Sequence, residues 1–140
     1  MDGSVVVIGG SAGLGKAIAS HYADAGHDVV VTSRDKARAE ATAQEIGGSS
    51  RGIAVDLTRP AEIRSALAEI GPVRYLVIAA IERDENTVAD FDVAGATSLT
   101  SLKLVGYPEV IHSLRDRLTE DASVVLFGGL AKDRPYPGST

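Results

Sequence analysis

The chain contains no cysteine, and its apolar runs are short. Without cysteine it can form no disulfide, no thiolate metal site and no cysteine nucleophile. Residues 76–81 form one of its longest apolar runs, which is too short to span a membrane. The first residues also lack the basic-then-apolar order of a secretory leader. We therefore expect a cytoplasmic protein that does not act at a membrane.

Patterns for metals, nucleophiles and nucleic acid are missing as well. His21, His27 and His112 are not spaced as metal ligands, and we expect them to form surface or interhelical hydrogen bonds. No Gly-x-Ser-x-Gly motif occurs, and Lys16 lacks the remaining spacing of a Walker motif. A net charge of −5 gives no general attraction to nucleic acid. A local basic site for a phosphate is still compatible with this charge.

Glycine, in contrast, is plentiful, and the stretch 4–25 contains a cluster of it. The β-branched run 5–8 stops at this cluster, and helix-forming residues follow. Leu14, Ile18 and Tyr22 recur at four-residue spacing, which is typical of the apolar face of a helix. The stretch predicts a buried strand, a tight turn and an amphipathic helix.

The glycines of this turn favour a bound pyrophosphate. Gly9 and Gly13 leave room for the approach of a nucleotide, while Gly15 lets the helix lie close to the sheet. Ser11 adds a hydroxyl donor. Free N–H groups and the positive end of the helix dipole then face one point, which suits an anion. The alternative is a plain strand-to-helix turn that needs glycine only for its shape.

The end of the second predicted strand, 28–32, bears on the choice of nucleotide. In nucleotide-binding units of this type, this position lies beside the adenosine ribose. Ser33 stands where an acid would bind a free 2′-hydroxyl, and Arg34 offers a charged fork for a 2′-phosphate. NADP(H) is therefore favoured over NAD(H). The alternative is that Arg34 is a solvated residue at a helix start and Asp35 is the N-cap.

The rest of the chain alternates between helix and strand patterns. Helices are predicted at 35–46, 60–70 and 91–118, the last with a bend or break at Gly106 and Pro108, and strands at 51–55, 75–80 and 123–127. This alternation predicts an α/β fold of the Rossmann type. We expect a doubly wound parallel sheet in the order 3-2-1-4-5, forming one domain over 1–140. The charged segment 82–86 is interpreted as a solvated loop.

The segment 9–15 resembles the opening motif of the short-chain dehydrogenase/reductase family, Thr-Gly-x-x-x-Gly-x-Gly, with Ile8 in place of the threonine. Residues 56–58 resemble its Asp-x-Thr/Ser segment, whose acid contacts adenine, although Asp56 is equally plausible as a cap or turn residue. Ala80 matches the alanine of its Asn-Asn-Ala-Gly segment. The resemblance implies hydride transfer between a nicotinamide and a small carbonyl or alcohol substrate. The predicted cofactor-binding residues are Gly9, Ser11, Gly13, Leu14, Gly15, Ser33, Arg34, Asp56, Leu57 and Ala80.

The catalytic residues that this family uses have no match in the chain. Lys103 stands at the place of an asparagine, and Gly128 at the place of the serine. The family's Tyr-x-x-x-Lys pair would fall at or beyond Thr140, while Tyr136 is preceded by Lys132 instead of being followed by a lysine. We expect an oxidoreductase lineage whose catalytic residues are absent from this chain, with the domain incomplete at its carboxyl terminus. The alternative is a non-catalytic nucleotide-binding or interaction protein of the same fold.

If the chain stops after its fifth strand, that strand has an open edge and the long helix keeps an uncovered apolar face, which would favour association between copies. We therefore expect a homo-oligomer.

Overall fold

A computed structural model describes residues 2–83, 85–129 and 133–134. Within these ranges, five strands form one parallel sheet in the order β3-β2-β1-β4-β5, which confirms the predicted topology. The strands are β1 (Ser4–Ile8), β2 (Val29–Ser33), β3 (Ser50–Ala54), β4 (Val73–Ile78) and β5 (Leu118–Leu126). The described part of β5 begins five residues earlier than the sequence predicts.

Helices connect the strands on both sides of the sheet. They are α1 (Gly13–Asp24), α2 (Lys36–Ile46), α3 (Pro60–Ala66), α4 (Val93–Thr100) and α5 (Tyr107–Leu114). A π-helical segment, Ser101–Gly106, joins α4 to α5, and a 3₁₀ turn, Arg115–Arg117, follows α5. Among the described residues, no helix is long and apolar enough to cross a membrane.

The central strand β1 explains why the sheet has two apolar faces. Successive side chains of a strand point to opposite faces, so Val5 and Val7 lie on one face while Val6 and Ile8 lie on the other. All four side chains are almost completely buried. Parallel sheets with helices on both faces require this continuous apolar run rather than an alternating one.

Helix α1 contacts the sheet through small residues. Gly15 and Ala19, four residues apart, are buried, and Ile18 and Tyr22 are partly buried beside them. Leu14, which the four-residue spacing places on the apolar face, is instead 57% exposed. At Gly15 the helix lies against the backbone of the glycine turn, and Leu14 lines the cavity instead of the core.

The predicted bend near Gly106 and Pro108 takes the form of a change in hydrogen bonding. The chain stays helical from α4 to α5, and Gly106 has helical backbone angles (φ −62°, ψ −47°). In a π-helix, hydrogen bonds join residues five apart. Leu102 and Tyr107 are five residues apart, and both are buried against the sheet. The π-helical segment therefore keeps both side chains on the core side.

Candidate functional site

A cavity of about 450 Å³ opens at the carboxyl ends of the strands. It lies beside β1, where the chain connections leave the sheet toward opposite sides, as ligand sites in doubly wound sheets do. Nine of the ten residues predicted to bind a cofactor line it: Gly9, Ser11, Gly13, Leu14, Gly15, Ser33, Arg34, Leu57 and Ala80. Asp56 is not among the described lining residues. Most of the residues predicted from the sequence therefore surround one cavity.

Close backbone contacts shape the glycine turn that follows β1. Gly9 has φ +82°, and a Cβ added to it would lie 2.6 Å from the Cα of Ala80. A Cβ added to Gly15 would overlap the carbonyl oxygen of Gly9. Neither position can take a larger residue unless the backbone moves. The turn is therefore pressed against the end of β4 on one side and against α1 on the other.

Thr32, which the sequence analysis missed, holds the turn from the neighbouring strand. Its hydroxyl oxygen accepts the backbone N–H of Gly9 at 3.1 Å, and its carbonyl accepts that of Gly10 at 3.0 Å. The side chain is fully buried. The sequence signal for this contact was a threonine directly after the apolar run Val29–Val31. A hydroxyl in a buried strand needs a hydrogen-bond partner. Ile8 stands at the position of the motif's threonine and has no hydroxyl. Thr32 supplies a hydroxyl to the turn from the neighbouring strand instead.

The start of α1 differs from the starts of α2 and α4. Asp35 caps α2, its Oδ1 accepting an N–H three residues later at 2.7 Å, and Asp92 caps α4 through both carboxylate oxygens. At the N-cap of α1, Ala12, no described side chain accepts a hydrogen bond. Gly13 and Leu14, the first two residues of this helix, line the cavity. A helix start without a carboxylate cap, facing a cavity, suits an anionic group.

Two arginines follow β2: Arg34 comes directly after the strand, and Arg38 lies in the first turn of α2. Arg34 and Arg38 both line the cavity, and the Arg34 side chain is 65% exposed. Asp35, between them in sequence, is the N-cap of α2, as one of the two interpretations required. Sequence reasoning missed Arg38, although its spacing of four residues from Arg34 was a usable signal. The pair brings two guanidinium groups to this end of the cavity.

The loop after β4 contacts the start and the body of α4 through side-chain hydrogen bonds. A carboxylate oxygen of Glu82 lies 3.9 Å from Nη1 of Arg34, and its other oxygen accepts the hydroxyl of Ser98, on α4, at 2.9 Å. Asn86 is buried, and its side chain bonds to the backbone of Asp92. The interpretation of 82–86 as solvated is therefore wrong for Asn86, which is buried, while Glu82 is partly exposed and held by Ser98.

Asp56 makes local contacts. Its Oδ1 accepts the backbone N–H of Thr58 at 2.9 Å and the Thr58 hydroxyl at 2.6 Å. This is the turn role that the sequence analysis weighed against an adenine contact. The next residue, Leu57, is buried and reaches the cavity.

A lysine–tyrosine pair joins the ends of β4 and β5. Nζ of Lys103 donates to the carbonyls of Ala80 (3.2 Å) and Phe127 (3.4 Å) and to the hydroxyl of Tyr107 (2.7 Å). That hydroxyl in turn donates to the Ala80 carbonyl at 2.7 Å. Burial lowers the pKa of Lys103 and raises the pKa of Tyr107 to about 12. Tyr107 therefore stays protonated at neutral pH and acts as a donor.

Sequence reasoning missed Tyr107, although a lysine and a tyrosine four residues apart on a helix are neighbours. Neither Lys103 nor Tyr107 is among the described residues lining the cavity. The pair therefore ties strand ends together beside the site. Among the described residues, no three potential metal-ligating side chains cluster.

The fold and the glycine turn correspond to a known family. The family model described as short chain dehydrogenase matches residues 4–139. The chain belongs to the short-chain dehydrogenase family. It is therefore a member of an oxidoreductase family that acts on small carbonyl or alcohol substrates.

Individual relatives agree with this family. The 3-oxoacyl-[acyl-carrier-protein] reductase of Mus musculus is 37% identical over 89 residues, which cover 60% of this chain and 38% of the mouse protein. A 3-ketoacyl-(acyl-carrier-protein) reductase from Brucella melitensis in complex with NADH has a TM-score of 0.82 at 25% identity, covering 99% of this chain and 62% of that one. A short-chain dehydrogenase from Sphingobium yanoikuyae in complex with NADPH has a TM-score of 0.84 at 25% identity, covering 98% and 57%. The chain thus spans less than two thirds of the length of each of these relatives.

Two departures from the family motifs can be placed beside the site. Gly128, at the position of the family's serine, lines the cavity and carries no hydroxyl. Lys103, at the position of the asparagine, makes the contacts described above. Lys132 and Tyr136 lie outside the described residues.

Proposed function

We propose that this chain binds NADP(H) as the cofactor-binding part of a short-chain dehydrogenase that transfers hydride between the nicotinamide and a small carbonyl or alcohol. The observation that carries the proposal is the start of α1, which has no side-chain cap among the described residues and opens into the same cavity as Arg34 and Arg38. N–H groups at one end and guanidinium groups at the other match a pyrophosphate and a second phosphate.

The described residues fit the cofactor part by part. The start of α1 would hold the pyrophosphate, because Gly13 and Leu14 line the cavity and no described side chain caps this helix. Arg34 and Arg38 would bind the 2′-phosphate, with Ser33 beside them. Leu57 would contact the adenine. The bound cofactor supplies the hydride, and this chain supplies its position.

The preference for NADP(H) rests on the arginines. The solved relatives include a complex with NADH and a complex with NADPH, so family membership favours neither nucleotide. Ser33 carries no negative charge to repel a 2′-phosphate, and the carboxylate of Asp35 is engaged as a helix cap.

Calorimetric titration with NADPH and with NADH tests the proposal. Arg34→Ala should weaken NADPH binding about tenfold or more, since a hydrogen bond to a charged group contributes about 1.5–3 kcal/mol. NADH binding should hardly change. Arg59→Ala is the matched control, because Arg59 is equally exposed and pairs with Glu62. Failure of the wild-type chain to bind either nucleotide would overturn the proposal.

A non-catalytic nucleotide-binding protein is the second candidate. The observation that favours it is Lys103, whose ammonium is engaged by two backbone carbonyls and a tyrosine while Gly128 offers no hydroxyl. NADPH oxidation should be measured with a panel of small carbonyl compounds. Turnover would exclude this second candidate, and binding without turnover would favour it.

We also propose that the chain forms one nucleotide-binding domain that associates with copies of itself. The two buried clusters lie on the two faces of a single sheet, which supports one domain. Val124, Val125 and Leu126 of β5 are 38%, 46% and 51% exposed. Among the described residues, β5 pairs only with β4, so its other edge is open to another chain. Light scattering at rising concentration should show dimers or larger species; a monomer throughout would contradict this proposal.

A further inference from the structure

The cation that would receive the 2′-phosphate already faces a carboxylate. Glu82 follows β4 and Arg34 follows β2, and their charged groups approach to 3.9 Å beside the cavity. The carboxylate is held in place, because its second oxygen accepts the hydroxyl of Ser98 at 2.9 Å. Its side chain is only 31% exposed. This is a fixed negative charge beside the proposed phosphate site.

We propose that Glu82 is a specificity-determining residue that disfavours NADP(H) relative to NAD(H); the inference rests on the proposed function. A 2′-phosphate bound by Arg34 would bring its own negative charge close to this carboxylate. A 2′-hydroxyl carries no charge and can donate a hydrogen bond to a carboxylate. Arg34 and Glu82 thus act in opposite directions on the same choice.

The neighbouring acid, Asp35, also carries a negative charge, but it is directed at the backbone of α2 instead of at Arg34. The Oδ1 of Asp35 accepts the backbone N–H of Arg38 at 2.7 Å and is engaged at the start of α2. Glu82 approaches Arg34 from a different loop, and its anchor Ser98 lies on a different helix. The 3.9 Å separation is too long for a direct hydrogen bond. Glu82 therefore acts on the guanidinium through its charge, and a bound phosphate would compete with it for the same cation.

Glu82→Gln tests the inference, since it removes the charge and keeps an oxygen that can accept the Ser98 hydroxyl. NADPH should bind about three- to fivefold more tightly, as expected for a partly exposed ion pair, and the gain should shrink at high salt. NADH should bind equally or slightly less well. Glu85→Gln is the control, because Glu85 is an exposed residue of the same loop. Ser98→Ala, which releases the carboxylate, should change the ratio in the same direction but less.

The outcomes separate this inference from the proposed function. An NADPH-to-NADH affinity ratio that is unchanged or lower in Glu82→Gln, with Arg34-dependent NADPH binding intact, would overturn the role of Glu82 alone. If no variant and no wild-type sample bound either nucleotide, both ideas would fail. Thermal unfolding of each variant should show that the fold is retained.

Discussion

The carboxyl edge of the sheet has two parts that are built differently. At the turn after β1, the close packing of backbone against backbone depends on the absence of side chains at Gly9 and Gly15. At the ends of β4 and β5, the chain is held by long side chains, the Lys103 ammonium and the Tyr107 hydroxyl. Only glycine satisfies the first set of contacts, whereas any donor of sufficient reach could satisfy the second. The first part is therefore readable as a motif, and the second is free to change.

The largest effect is expected from adding a methyl group at the turn. Gly15→Ala places a Cβ on the carbonyl oxygen of Gly9 and should lower the free energy of unfolding by about 3 kcal/mol or more. Urea unfolding would measure it. Gly71→Ala is the control, because no described atom lies within 4 Å of its added Cβ and its φ is not positive. Equal stability of the two variants would show that the turn is not sterically constrained.

Removing the lysine tests the second part of the edge. Lys103→Met keeps much of the side-chain length but removes the donor to Ala80 and Phe127, so the free energy of unfolding should fall by about 1–3 kcal/mol. Lys36→Met, at an exposed residue paired with Glu40, should change it by less than about 0.5 kcal/mol. Equal stability of Lys103→Met and wild type would contradict the conclusion that the Lys103 ammonium stabilises the ends of β4 and β5.

Thr32 belongs to the first part, although it acts through a side chain. Thr32→Val has nearly the same shape but removes the acceptor of the Gly9 N–H, and should cost about 1–2 kcal/mol in the free energy of unfolding. Thr32→Ser keeps the hydroxyl and should retain the hydrogen bond. Loss of NADPH affinity in Thr32→Val, beyond the loss in Thr32→Ser, would indicate that the bond also positions the turn. A valine variant no less stable than the serine variant would contradict the role assigned to this hydroxyl.

The smallest effect concerns pH. Because the pKa of Tyr107 is raised to about 12 in the fold, the unfolded chain loses this proton first as the pH rises above 10. Stability from this group should therefore fall between pH 10 and 12, by about 1 kcal/mol at pH 11. Tyr107→Phe should show a weaker decrease than wild type over this window in urea unfolding. Parallel pH profiles would mean that the hydroxyl is not shielded.

Sequence patterns were sufficient for the strand order and for most residues of the cavity, because glycine turns and apolar runs are local signals. Most of the contacts that they missed join residues far apart in the chain. Thr32 binds Gly9 from 23 positions away, and Lys103 reaches Ala80 over the same separation. Glu82 appeared solvated because its anchor, Ser98, lies on a helix 16 residues later. Leu14 shares the spacing of the partly buried Ile18 and Tyr22, and periodicity alone does not reveal that it lines the cavity and is exposed.

The π-helical segment has a consequence for how this chain should be aligned with its relatives. In an ordinary α-helix, the insertion or deletion of one residue rotates all following residues by about 100° about the helix axis. The buried side chains then no longer face the core. Between Leu102 and Tyr107, deleting one residue would leave a four-residue spacing, which places both side chains on the same face of an ordinary α-helix. When this chain and a relative differ in length by one residue here, the difference is therefore best placed within 103–106. Val110 and Leu114, which follow this segment, then keep their positions against the sheet.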